Sequence, residues 1–144
     1  MEVTLVKADP WHWEQIVKDE KANQTKLYFP SLTDPEELQA SNVYHLRVGI
    51  KNSGHISFKF HGNEAEINEL LVLPEFQSRG IGKIAIQQVV DYLQSRSITL
   101  IWLVTHPENT WAIAVYQKTG FKTVDRMENP YGDGEPRIKM EYRF

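Results

Sequence analysis

The chain contains no cysteine. Disulfides, thiolate metal ligands and a cysteine nucleophile are therefore excluded together. The same absence points to a cytoplasmic protein. Long hydrophobic runs are missing too. The longest, "LIWLV" at residues 100–104, falls far short of the roughly 20 apolar residues of a membrane helix. The opening "MEVTLVKADP" lacks the basic-then-apolar pattern of a secretory signal, so no membrane or export role is expected. Nor is there an excess of one charge. Lys and Arg number 16 against 19 Asp and Glu, a net −3, which gives no general attraction to nucleic acid. The five histidines show no metal-ligand spacing, and no metal is assigned.

What is present is ordinary for a globular protein. The 144 residues are 41% hydrophobic and 24% charged, enough for one domain with its own core over residues 1–144. "EVTLVKA" alternates as a first strand. Asp9-Pro10 and Asp34-Pro35 each supply an N-cap and a first-turn proline for two helices, the second with Glu37 placed for a capping box. The first helix places Trp13, Ile16 and Val17 on one face. "NVYHLRVGI" and "HISFKFHG" read as strands joined by a hairpin turn at "KNSG". "EAEINELLVLP" ends in a continuous apolar run, as a strand buried on both faces does. From Gly80 to Gln94 a helix carries the apolar arc Ile81, Ile84, Ala85, Ile86, Val89, Val90 and Leu93. "ITLIWLVT" is a buried strand. "NTWAIAVYQKTG" is a helix stopped by Gly120. "FKTVDRM" and "RIKMEYRF" close the chain as strands. The predicted order is β-α-α-β-β-β-α-β-α-β-β, a mixed α/β sheet with a parallel crossover over residues 66–104.

"PEFQSRGIGK" at residues 74–83 is richer than a connector requires. It starts a helix whose first N–H groups lack intrahelical acceptors, and these, with the helix dipole, attract an anion. Gly80 and Gly82 have no Cβ to hold a phosphate away, and Arg79 and Lys83 add positive charge. Gly82 also admits a plainer reading, close packing of the helix. The spacing is neither that of a Walker A loop nor of a dinucleotide fingerprint.

The stretch Gln77-Ser78-Arg79-Gly80-Ile81-Gly82 resembles the signature Gln/Arg-x-x-Gly-x-Gly/Ala of the GNAT N-acetyltransferase superfamily. Two further features agree: the strand ending Val72-x-Pro74, and Asn109-x-x-Ala112-x-x-x-Tyr116 followed by Gly120-Phe121. The resemblance is specific from Glu64 to Lys122. It implies a splayed pair of fourth and fifth strands with acetyl-CoA between them. The amides of Gln77, Ser78, Arg79, Gly80, Ile81, Gly82 and Lys83 would hold its pyrophosphate. The strand end at Leu71, Val72 and Leu73 would pair with the pantetheine arm, helped by a bulge near Leu71. Asn109 would contact the cofactor, or else cap the helix that follows it. Tyr116 would protonate the leaving thiolate, or else serve as a core aromatic.

The same resemblance requires a base for the attacking amine. Glu66 and Glu69 are the candidates, with His106 weaker. Three apart on one strand, the two acids face opposite ways unless a bulge intervenes. Segments 22–35 and 127–137 are expected to form the acceptor pocket. They carry Tyr28, Phe29, Glu128, Tyr131, Asp133 and Glu135, which suit a small cationic amine or a basic peptide end. With no cysteine to carry an acetyl group, transfer would be direct to a primary amine in a ternary complex. A CoA-binding regulatory module without turnover and a protein-interaction domain are the other readings, and a homodimer stays open.

Overall fold

A computed structural model describes residues 2–144. The elements follow the predicted order: β1 (Thr4–Lys7), α1 (Trp13–Ala22), α2 (Pro35–Ala40), β2 (Asn42–Val48), β3 (Lys51–His61), β4 (Glu64–Val72), α3 (Ile81–Ser95), β5 (Leu100–Thr105), α4 (Thr110–Thr119), β6 (Lys122–Met127) and β7 (Arg137–Arg143). Short 3₁₀ turns at Pro10–His12 and Pro74–Phe76 precede α1 and α3. The seven strands form one sheet in the order β1-β2-β3-β4-β5-β7-β6. All neighbours are antiparallel except β4 and β5.

The larger core lies between the sheet and α3 with α4. Ile81, Ala85, Ile86, Val89, Val90 and Leu93 of α3 pack there against Leu46, Ile56, Phe58, Ile67 and Leu70. This is the arc that the 3.6-residue period predicts. A smaller cluster of Ile16, Leu32, Leu38 and Val43, flanked by Trp13 and Val17, lies under α1 and α2. Burying each such aliphatic side chain contributes about 1.5–3 kcal/mol.

Three local expectations are corrected. The β2–β3 turn is Gly49-Ile50, with Val48 opposite Lys51, and "KNSG" lies inside β3. Gly54 is a glycine for another reason: a Cβ there would stand 1.9 Å from the Leu71 carbonyl oxygen. The capping box at α2 is half made. Asp34 accepts from the Glu37 N–H at 2.8 Å, but the Glu37 carboxylate pairs with Lys59 of β3 at 2.8 Å. The bulge in β4 lies at Asn68, not near Leu71. Ser57 is opposite Glu69 and Phe58 is opposite Ile67, so Asn68 is the extra residue.

Candidate active site

The parallel pairing of β4 with β5 covers only Glu64, Ala65 and Glu66 against Leu100, Ile101 and Trp102. Beyond that point the strands separate. A cleft of about 700 Å³ opens between them, running from Gln77 and Ser78 in the turn before α3 to the loops after α1 and β6.

At one end is the glycine-rich turn. Gly80 caps α3 at φ +79°, and Ser78 before it takes φ +63°, so the backbone curls into a concave nest. The first helical bond is from Ile84 N–H to the Gly80 carbonyl. Among the described residues, no acceptor meets the N–H groups of Ser78 through Lys83. Nothing lies within 4 Å of where a Gly80 Cβ would stand. Six free amides around an open hollow fit a pyrophosphate.

Gln77 and Arg79 depart from expectation. The Gln77 N–H bonds to the Pro74 carbonyl, and its side-chain amide donates to the Val72 carbonyl at 2.9 Å, tying the end of β4 to the turn. Arg79 folds back onto the Glu75 carbonyl at 3.0 Å, over the Phe76 ring. Lys83 stays exposed at the rim. Gly82 serves packing as well: a Cβ there would lie 3.1 Å from the indole of Trp111, a cleft-lining residue that the sequence reading passed over.

Along the cleft wall, the Leu73 N–H is already bonded to Ser53 of β3 at 2.8 Å. By the alternation of an antiparallel ladder, the Leu71 N–H points the same way, while those of Leu70 and Val72 point into the gap. The free edge therefore belongs to Leu70 and Val72, and Leu71 and Leu73 do not offer their amides. Opposite, Asn109 caps α4, its Oδ1 accepting from the Ala112 N–H at 3.2 Å; only its Nδ2 is left for a cofactor. Tyr116 is buried on α4 and lines the cleft. Burial, reinforced by the charge of Glu69, raises its hydroxyl above the ordinary tyrosine range, so it remains a proton donor.

At the far end, the bulge turns Glu66 and Glu69 to the same face of β4, and both line the cleft. Glu66 sits where the strands part, 3.0 Å from His61. Glu69 is buried beyond it, its Oε2 accepting from the Ser31 N–H and hydroxyl at 3.0 Å each. Burial, then the charge of neighbouring Glu20, raises its carboxyl well above the usual range.

The two segments expected to form the acceptor pocket do meet. Phe29 and Tyr131 lie 4.9 Å apart between ring centroids, and the buried Arg137 guanidinium lies 4.9 Å from the Tyr131 ring. Tyr28 donates its hydroxyl to Glu20. Asp133 holds Arg137 at 2.7 Å, and Glu128 pairs outside the cleft with Arg126. His106 is fully buried, with Nδ1 accepting from the Glu108 N–H at 3.0 Å and Nε2 2.8 Å from Glu135. Both ring nitrogens are engaged, so His106 latches the loop before β7 to the end of β5. Its nearness to Glu108 and Glu135 does not make it a metal ligand, since no lone pair is free.

The sequence reading missed Glu20, Ser31, His55 and Arg137. One signal existed: Glu20 stands four residues after Ile16, an acid on the apolar stripe of α1.

Splayed parallel strands over a nest of amides define a class, and the sequence agrees. Residues 8–121 match the acetyltransferase (GNAT) family, and the chain belongs to it. The family's cofactor is acetyl-CoA. The [ribosomal protein bS18]-alanine N-acetyltransferase of Salmonella typhimurium is 33% identical over 69 residues, covering 48% of this chain and 47% of that protein. The chain thus spans about half the length of the curated relatives it matches. The crystal structure of the ribosomal-protein-S18-alanine N-acetyltransferase from Escherichia coli superposes with a TM-score of 0.80 at 22% identity, covering 99% of this chain and 94% of that one. A spermidine N-acetyltransferase chimera from Vibrio cholerae superposes at 0.82 and 19% identity, covering 99% and 96%. At these identities the structures establish the fold. Among the described residues no helix is long and apolar enough to cross a membrane.

Proposed function

We propose that this chain transfers acetyl from acetyl-CoA directly to a primary amine while both are bound. The observation that carries this reading is the parting of β4 from β5, which opens one cleft from the turn before α3, at Gln77 and Ser78, to Tyr116 and Glu69. Acetyl-CoA supplies an activated thioester. The amides of Ser78 to Lys83 hold its pyrophosphate, and the free edge at Leu70 and Val72 pairs with the pantetheine arm. Tyr116 gives its proton to the departing sulfur. Glu69 receives the proton that the incoming ammonium must lose. Glu66, Tyr28, Phe29 and Tyr131 frame the amine. A cytoplasmic location goes with this reading.

The acceptor class we favour is the α-amine of a peptide. The curated relatives named for alanine N-acetylation support it, as does the aromatic pair lining the same cleft as Glu66 and Glu69. The test is thiol release from acetyl-CoA in the presence of alanine-first peptides, spermidine, aminoglycosides and free amino acids. Turnover is expected with the peptides. Turnover with spermidine alone would move the assignment to polyamines. CoA binding without thiol release from any amine would make the chain a CoA-binding module.

A further inference from the structure

Glu20 of α1 and Glu69 of β4 are the buried acids of the described chain, 0% and 7% exposed. Consecutive backbone N–H groups hold them side by side: Ser31 donates to Glu69 at 3.0 Å and Leu32 to Glu20 at 3.1 Å. An ionised carboxylate only accepts, so two neighbouring ones in a buried setting repel unless a proton lies between them. No lysine or arginine pairs with either among the described residues. Glu20 accepts from the Leu32 N–H at 3.1 Å and from the Tyr28 hydroxyl, and its Oε2 lies 3.3 Å from His55 Nε2. Glu69 accepts from Ser31. The other groups acting on the pair and its partners are Asp19 on α1, His45 on β2, Glu66 on β4, Tyr116 on α4, and Tyr131 with Arg137 beyond β6. Arg137 is committed to Asp133. Burial raises both carboxyl groups, and two buried carboxylates without a cation do not both ionise.

We propose that Glu20 and Glu69 form a buried carboxyl pair that shares one proton, and that this pair, backed by His55, takes up the proton released by the acceptor amine. The proposal rests on the acetyl-transfer reading above. An ammonium loses two protons in becoming an amide. One passes to the pair before attack. The C–N bond then forms, the C–S bond breaks, and the second proton ends on the thiol through Tyr116. One proton per turnover therefore remains on the pair and returns to solvent. Glu20 does not touch substrate; it is a positioning residue that sets the proton affinity of Glu69. His55 keeps its neutral form through burial, which leaves it able to accept from Glu20.

Infrared spectroscopy of the apo protein with ¹³C-labelled glutamate tests the shared proton without reference to activity. Wild type should show a protonated-carboxyl stretch at neutral pH, and Glu20→Gln and Glu69→Gln should each lose it. No such band in wild type overturns the pair, whether or not the variants fold. Persistence of the band in both variants overturns it too. Kinetics test the role. In Glu20→Gln the acid limb of kcat/KM should move to lower pH by about one unit, because Glu69 no longer faces a second carboxyl. An unmoved limb with the band lost would make the pair purely structural. A wild-type band with no turnover on any amine would overturn the acetyl-transfer reading and the catalytic half of this proposal, leaving the shared proton standing.

Discussion

Glu66 and Glu69, three residues apart on β4, stand on the same face of the sheet because Asn68 is skipped in the strand register with β3. The bulge is held from three sides. The Asn68 carbonyl accepts from the Ser31 hydroxyl at 2.9 Å, its Oδ1 from Ser57 at 3.0 Å, and its Nδ2 donates to Ser41 at 3.2 Å. The two acids differ in setting. Glu66 pairs with the half-exposed His61 at the mouth of the splay, while Glu69 is buried. Glu69→Gln is expected to lower kcat at neutral pH about 10²-fold or more, with recovery in alkaline buffer as the amine deprotonates. Glu66→Gln should instead raise KM for cationic amines with kcat little changed. Rate profiles of both variants across pH check this, and full activity in both would remove the carboxylates from the mechanism.

The nest at α3 should bind the cofactor through phosphate. At 100 times its Kd, acetyl-CoA should stabilise the fold by about 2.7 kcal/mol, read as a rise of several degrees in Tm. Pantetheine without phosphates should do far less. Gly82→Asp drives a carboxylate against the Trp111 indole beside the amide nest, adding bulk and negative charge there, and should abolish the shift. Gly82→Ala asks only that Trp111 give by a few tenths of an ångström, so it should retain most of the shift. Equal CoA binding by Gly82→Asp would remove the phosphate assignment.

Tyr116→Phe deletes a hydroxyl from a residue whose ring packs near Phe121 at 5.9 Å. The ring contacts survive, so Tm should hold. If the hydroxyl protonates the sulfur, kcat should fall about 10²- to 10⁴-fold at unchanged cofactor affinity. Stopped-flow measurement of thiol release would show it, and wild-type turnover in the chemical step would make Tyr116 a packing residue only.

His45 gives a stability prediction. Burial, then the nearby His12, His55 and Arg47, lowers its imidazole from the ordinary 6.5 to about 4, and its Nδ1 has no partner. The unfolded chain therefore binds a proton that the folded chain refuses. Stability present above pH 6.5 is lost as pH falls from there through about 4. His45→Gln, which does not titrate, should flatten this part of the curve. Urea unfolding of both proteins from pH 7 to pH 4 checks the difference in slope.

Gly54→Ala should be among the most damaging single-methyl additions. Its φ of +147° is unfavourable for any side chain, and the new Cβ would collide with the Leu71 carbonyl. A cost on the order of 3 kcal/mol is expected in denaturant unfolding. Because Leu71 lies on the cleft wall, acetyl-CoA affinity should fall with it.

Much of this molecule was legible in its residues. The element order followed from hydrophobic period and from Asp-Pro and Gly punctuation, because those signals are local. The turn of unpaired amides followed from "SRGIG", since glycine spacing and a helix start are properties of a few consecutive residues. The segments expected to form the acceptor pocket stood out by their aromatics, and Phe29 and Tyr131 of those segments do meet. Gln77 and Asn109 were legible as members of the motifs but not in their bonds, because each side chain had more than one partner within reach.

The sequence by itself determined the strand–helix grammar, the glycine-rich turn and a short list of acids and tyrosines, all encoded by near neighbours along the chain. Tertiary structure alone decided three things. It placed the bulge at Asn68, which depends on residues 31, 41 and 57. It made Gly54 obligatory through a carbonyl on another strand. And it brought Glu20 beside Glu69, 49 residues along the chain, at the consecutive amides of Ser31 and Leu32. A buried carboxyl acquires its proton affinity from what excludes water around it, and those groups come from α1, β3, β4 and the loop between α1 and α2.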